Sequence, residues 1–286
     1  MGKEKAATLR PATIEETASK LLSSGYSAGS LKAFYSTLSK AFNDGVRLGW
    51  LPNNPIARVE RLRLHSNPTP PIPQSDVEKL FMEALKSERD MARLIVGVRL
   101  GLRPAEVSGL RWEDLDLTNK SLQIKRQVQY CKENGLAYCP PKTLRKAPIP
   151  LTDNEISILV EYRKVQDSLW ERWEARAAKN GYVIDRQVMF PNSYGTLQNS
   201  KSDTKWFHEL CQRAEVNRYQ RYQMRKKAFT DLLLVADLGT TMTYSGHSQS
   251  STLIRHYISP ELSAVRSAVE KREIHNSVSG VNNLNE

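Results

Sequence analysis

The sequence predicts a mainly α-helical protein with a small antiparallel β-sheet, divided into two domains. Three observations predict it. Apolar residues recur at helical spacing over most of the chain, as with Leu31, Phe34, Leu38 and Phe42. The period changes to two after Ser121, where Leu122, Ile124, Val128 and Tyr130 alternate with polar residues. A proline-rich run, "SNPTPPIPQ", can form neither a compact helix nor a central strand and reads as an extended linker. At 286 residues the chain is long enough for two cores. The boundaries expected are a helical domain over 1–66, the linker over 67–74, a larger domain over 75–275 and a polar tail over 276–286.

The elements follow in order. Thr13 with Glu16 has the form of a capping box and opens a helix that ends near Gly25. Ser30 caps the next helix, which Gly49 closes before "WLPNNPI" turns the chain. Beyond the linker, Ser75 with Glu78 forms a second capping box. "RDMARLIVGVRLG" is apolar enough for a buried helix ending at Gly101, and a short helix begins at Pro104, so Arg103 lies at a junction between helices. Asn134-Gly135 marks a tight hairpin turn, and "GLAYCPPKTLRKAPIPL" supplies a second strand, a connection and a third strand. A long polar helix through "EISILVEYRKVQDSLWERWEARAAKNG" comes next, then a strand-like "VMFPN", the helical "TKWFHELCQRAEV" and the strongly basic "NRYQRYQMRKKAFTDLLLVADLG". An amphipathic helix in "ELSAVRSAVEKREI" precedes the tail.

Lys and Arg number 42 against 31 Asp and Glu, a formal charge of +11. Such a field attracts polyanions, nucleic acid being the commonest, while the alternative is a merely solubilising surface. Cys131, Cys139 and Cys211 are odd in number and lack zinc-site spacing, so they read as reduced thiols. Nothing approaches a signal peptide or a membrane span in length, and the expectation is a cytoplasmic, nucleoid-associated protein with no membrane partner. Clustered carboxylates able to hold divalent ions, as a metal-dependent nuclease needs, are not seen in the sequence.

Four separated pieces stand out: "GLRPAEV" with Arg103, "PPKTLRKAPIPL" with Lys142, "YQMRKKAF" with Arg225, and "SGHSQSSTLIRHY" with His247 and Tyr257. In order and spacing, and with the accompanying "LRWEDLDL", they resemble the motif set of the tyrosine recombinase (phage integrase) family. The N-terminal "LKAFYSTLSKAFNDGVRLGWLPNNP" is similar to that family's core-type DNA-binding domain, so the resemblance covers nearly the whole chain. It implies a helical core-DNA-binding domain followed by a tyrosine recombinase catalytic domain, and a site-specific recombinase that cleaves and rejoins DNA through a 3′-phosphotyrosine.

Breaking and rejoining a phosphodiester without metal or nucleotide needs a nucleophile that stores the bond, a cationic clamp, and groups that exchange protons. No cofactor is therefore expected. Tyr257 is the candidate nucleophile, and Arg103 and Arg225 are the candidate clamp, since a guanidinium presents a planar fork to two phosphate oxygens. The resemblance makes Lys142 the general acid to the leaving 5′ oxygen, His247 a hydrogen-bond partner of the phosphate, and Glu106 a support for Arg103. His256 positions Tyr257 or touches DNA.

One position departs from the family, which has His-x-x-Arg where this chain has "YQMR". Tyr222 can hydrogen-bond phosphate but is a poor base at neutral pH. That leaves proton removal from Tyr257 to His247 or water, with a low rate or activity confined to an assembled complex as the consequences. A non-catalytic or weakly active DNA-binding relative of the same fold is accordingly the alternative, and a topoisomerase-like relaxer shares the chemistry. Phosphate contacts are expected from Lys32, Lys40, Arg47, Arg145, Lys146, Arg221 and Lys226, with Arg213, Arg218 and Lys227 nearby. The expected partners are double-stranded DNA, further copies forming a tetramer on two DNA sites, and accessory DNA-bending proteins.

Overall fold

The computed structural model describes residues 5–61, 69–133, 135–143 and 147–246. Two compact units divide the chain, Met1–Pro68 and Thr69–Glu286.

In the first unit, α1 (Pro11–Ser23) and α2 (Ala28–Arg47) enclose a core of Ile14, Ala18, Leu31, Tyr35, Phe42 and Ile56. Both starts differ from the sequence expectation. Pro11 occupies the first helical position, where its fixed φ favours the helix, so Arg10 is the N-cap and Thr13 lies inside without forming the expected box. At α2 the cap is Ser27, whose Oγ accepts from the Ser30 backbone N–H at 3.1 Å, so Ser30 is capped rather than capping.

The second unit opens with α3 (Gln74–Ala84), preceded by Pro73, which has no side-chain acceptor; Gln74 donates to Glu78 at 3.0 Å in place of a Ser75 box. Next, α4 (Glu88–Leu94) does not continue as one α-helix to Gly101. It widens into a π-helical turn, Ile95–Arg99, in which the Leu100 N–H reaches back five residues to the Ile95 carbonyl at 3.1 Å. The short α5 (Pro104–Ser108) follows. Leu80, Leu94, Val96, Leu100, Leu102, Phe190 and Phe207 are fully buried around this turn, each contributing about 1.5–3 kcal/mol by burial.

Among the described residues the strands form two small antiparallel sheets rather than one. One has the order β1 (Leu115–Asp116), β2 (Ser121–Leu122), β5 (Ile149–Pro150); the other is the hairpin of β3 (Gln127–Cys131) and β4 (Gly135–Cys139). Between β2 and β3, the Gln123 N–H donates to the Asp114 carbonyl and Arg126 pairs with Glu113 and Asp114, so this stretch stays with β1 and the hairpin leaves as its own ladder. Leu122, Ile124 and Val128 are buried as alternation requires, but Tyr130 is 74% exposed, beyond the core. Gly135 has φ +67°, as the turn requires, while Asn134 lies outside the described residues.

The expected long polar helix is two helices, α6 (Asp153–Asp167) and α7 (Trp170–Asn180). At the break the Ser168 hydroxyl donates to the Val165 carbonyl at 2.7 Å, a local bond that competes with the helical ladder. "VMFPN" is no strand: Val188 makes a single bridge to Arg111, and Pro191 follows the buried Met189 and Phe190. Last come α8 (Ser200–Arg213), α9 (Arg221–Leu233) and α10 (Leu238–Ser245). The helix expected in "ELSAVRSAVEKREI" and the tail lie outside the described residues. Among those described, no helix is long and apolar enough to cross a membrane.

Candidate active site

The site is built around α9. Its residues Arg221, Met224, Arg225 and Ala228 recur at spacings of three and four and face the segment from Ile95 to Gly101. Arg225 is 1% exposed, with its guanidinium carbon 4.5 Å above the Phe229 ring. That guanidinium donates to the Gly101 carbonyl and, at 3.3 Å, to the Ser245 carbonyl. These two bonds join three separated pieces of sequence. Gly101 is two residues before Arg103, and Ser245 ends α10 just before Gly246, which has φ +70° and precedes His247 in sequence.

Gly101 makes this junction possible. Its φ is +65°, and a Cβ there would lie 2.8 Å from Phe229 Cζ and 3.1 Å from Ala228 Cβ. Just beyond it, Arg103 is the N-cap of α5. The buried Glu106 carboxylate accepts from the Arg103 backbone N–H at 2.9 Å and from its guanidinium at 2.6 Å, aligning a side chain that stays 23% exposed. Arg103 and Glu106 thus stand together as the sequence suggested.

Lys142 is exposed in the connection between β4 and β5. The base of its hairpin is fixed on α5: a Cβ on Gly109 would fall 2.7 Å from Gln127 Cα, and Gln127 Nε2 donates to the Pro140 carbonyl at 2.9 Å. Arg111 and Arg126 flank the Tyr138 ring at 5.7 and 5.8 Å and pair with Glu113, Asp114 and Asp185. Tyr222, on the first turn of α9, is 47% exposed. His247, His256, Tyr257, Arg145 and Lys146 lie outside the described residues.

Two expected phosphate contacts are corrected. Arg221 is 3% exposed and pairs through Nε with Asp203 at 2.6 Å; the same carboxylate takes Arg93 at 2.8 Å. Breaking such a buried cluster by removing one partner costs about 3–5 kcal/mol, so Arg221 is held inside rather than offered to a duplex. Lys226 is 4% exposed and donates to the Thr69 carbonyl at 2.6 Å, and burial lowers its ammonium below the ordinary lysine value. Lys227 and Arg213 are likewise engaged, with Asp231 and with Glu83 and Asp90. In the first unit Lys32 and Lys40 are exposed along a depression of about 500 Å³ that Arg61 also lines, and Arg47, also exposed, pairs with Asp44 at 3.2 Å.

Sequence reading missed Gly97, Gly109, Arg61 and the Arg93–Asp203–Arg221 cluster, although the two glycines, one inside an apolar run and one closing a short helix, were a visible signal.

Comparison with known proteins follows the same lines. The model of the phage integrase family matches residues 72–262, more than half of the chain. A tyrosine recombinase XerC-like protein of Caldanaerobacter subterraneus subsp. tengcongensis is 26% identical over 275 residues, 88% of this chain and 68% of that one. In fold the chain is similar to the Tn1549 transposon integrase in complex with transposon right end DNA, with a TM-score of 0.72, 16% identity, and 95% of this chain and 88% of that one covered. A lambda integrase dimer bound to a core site gives a TM-score of 0.60 at 13% identity, covering 89% of this chain and 82% of that one. The motif order, the arginine junction and the family match agree, and the chain belongs to the phage integrase family of tyrosine recombinases.

Proposed function

We propose that this chain is a site-specific DNA recombinase in which Arg103 and Arg225 clamp the scissile phosphate and Tyr257 attacks it. The observation that carries the reading is the Arg225 guanidinium, bonded to the carbonyls of Gly101 and Ser245. One side chain thereby links the turn before Arg103 with the end of α10, after which the chain runs to His247 and Tyr257. A charge fixed in a buried setting needs little reorganisation as negative charge develops on the phosphorane.

The Tyr257 oxygen forms the bond to phosphorus while the bond to the 5′ oxygen breaks. Lys142 supplies the proton to that oxygen, and the phenolic proton leaves to His247 or water, with Tyr222 hydrogen-bonding the phosphate. A 5′ hydroxyl of a second strand then attacks the 3′-phosphotyrosine and releases Tyr257, so no net energy source is needed. Exposed basic residues such as Lys32, Lys40 and Arg47 hold the backbone of double-stranded DNA. The reading extends to four copies on two DNA sites, with accessory DNA-bending proteins where a site must be bent; lambda integrase, of the same fold, is a dimer on its core site.

The test is trapping on a nicked duplex, in which the short strand diffuses away after cleavage and the covalent product accumulates. The wild type forms the adduct in the presence of chelator, and Tyr257→Phe binds the duplex but forms none. An equal yield from Tyr257→Phe would exclude the reading.

A further inference from the structure

On the basis of that recombinase reading, we infer that Asp203 and Arg221 are positioning residues for strand breakage, seating the first turn of α9 on the π-helical segment Ile95–Arg99 so that Arg225 meets the phosphate in register with Arg103. Neither touches DNA: Asp203 is 0% and Arg221 3% exposed. The two carboxylate oxygens of Asp203 are divided, Oδ2 to Arg221 on α9 and Oδ1 to Arg93 on α4, and Arg93 lies 4.2 Å from the centre of the Trp206 ring on α8. One carboxylate therefore ties three helices together.

What holds Arg221 is narrow. Its NH1 and NH2 are buried without a hydrogen-bond partner among the described residues, and Asp203 is the polar anchor of its Nε. Those nitrogens rest on Gly97, where a Cβ would stand 3.0 and 3.1 Å away, and Met224 Cε would be 2.5 Å from the same Cβ. Arg221 and Met224 come immediately before Tyr222 and Arg225 in sequence, and Gly101, four residues after Gly97, receives Phe229 and Ala228. The α9 helix thus sits on two bare backbone positions, and the guanidinium of Arg221 sets its height on the first. A shift of about 1 Å in a group that contacts the reacting centre can cost on the order of 100-fold in rate.

The test compares Gly97→Ala, Arg221→Lys and Asp203→Asn with the wild type on the nicked duplex. It measures single-turnover adduct formation, duplex affinity and thermal melting. Asp203→Asn removes the negative charge and one of the two acceptor oxygens shared by Arg93 and Arg221, and tests the carboxylate most directly. Gly97→Ala changes no charge and adds one methyl against Met224 and Arg221, so it keeps the inference testable if the first variant fails to fold. The expected result is a fall in adduct rate on the order of 100-fold at a duplex affinity within about twofold of wild type, in protein that still melts cooperatively. The same loss is expected on a 5′-bridging phosphorothiolate, whose leaving sulfur needs no proton from Lys142. Wild-type rates in folded Gly97→Ala and Arg221→Lys would overturn the inference, as would rescue by the phosphorothiolate or a parallel loss of binding. Absence of any adduct from the wild type would overturn the recombinase reading and this inference with it.

Discussion

Arg225 shows how one side chain can serve packing and chemistry together. Its guanidinium bonds the Gly101 and Ser245 carbonyls and lies on Phe229, which fixes its orientation before any phosphate arrives. Arg225→Ala is expected to lower adduct formation by roughly 10²–10³-fold, the loss seen when a preorganised charge-stabilising donor is removed. Duplex affinity should change far less, and single-turnover trapping beside a binding titration separates the two. The same variant removes a donor from two buried carbonyls, at a cost of up to about 1–3 kcal/mol each, which denaturant unfolding reads. Arg103, Glu106 and Arg225 were legible as residue types at matching positions. The burial of Arg221 and Lys226 was not, because an arginine paired with a distant aspartate has the same letter as one facing solvent. Asp203 is 18 residues from Arg221 and 110 from Arg93, so no local spacing announces the cluster.

At the scale of elements, the contact of α9 with the 95–101 segment organises the site. Gly101→Ala combines a left-handed backbone with a Cβ 2.8 Å from Phe229 Cζ. It should destabilise the protein by about 2–5 kcal/mol, summing the usual penalties for a non-glycine residue at positive φ and for overpacking, as equilibrium unfolding would show. Gly101 was readable because a glycine ends an apolar run. The π-helical winding just before it was not, since a shift of hydrogen bonding from four residues to five leaves no mark in the pattern of apolar residues. Helix starts were misplaced where a proline pre-empted a hydroxyl cap, at Pro11 and Pro73. The alternation after Ser121 did identify strands, but pairing depends on partners distant in sequence: Leu122 meets Ile149 in one sheet while Val128 meets Tyr138 in another.

Across the whole molecule, the formal charge of +11 does not translate residue by residue into DNA contacts. Part of it is internal, in Arg93, Arg221 and Lys226, part belongs to the proposed phosphate clamp, in Arg225, and part is exposed, in Lys32 and Lys40. Each phosphate contact contributes about one to the slope of log affinity against log salt, so the double variant Lys32→Ala/Lys40→Ala should reduce that slope by about two. Lys226→Met should leave the slope unchanged, and binding titrations across a salt series distinguish the two classes. The catalytic assignment rests on Tyr257, and a second tyrosine, Tyr222, is 47% exposed on the first turn of α9. Peptide mapping of the trapped protein–DNA adduct by mass spectrometry decides between them. The account predicts the phosphonucleotide on the peptide containing Tyr257; a phosphonucleotide on Tyr222, or on any other residue, would contradict it.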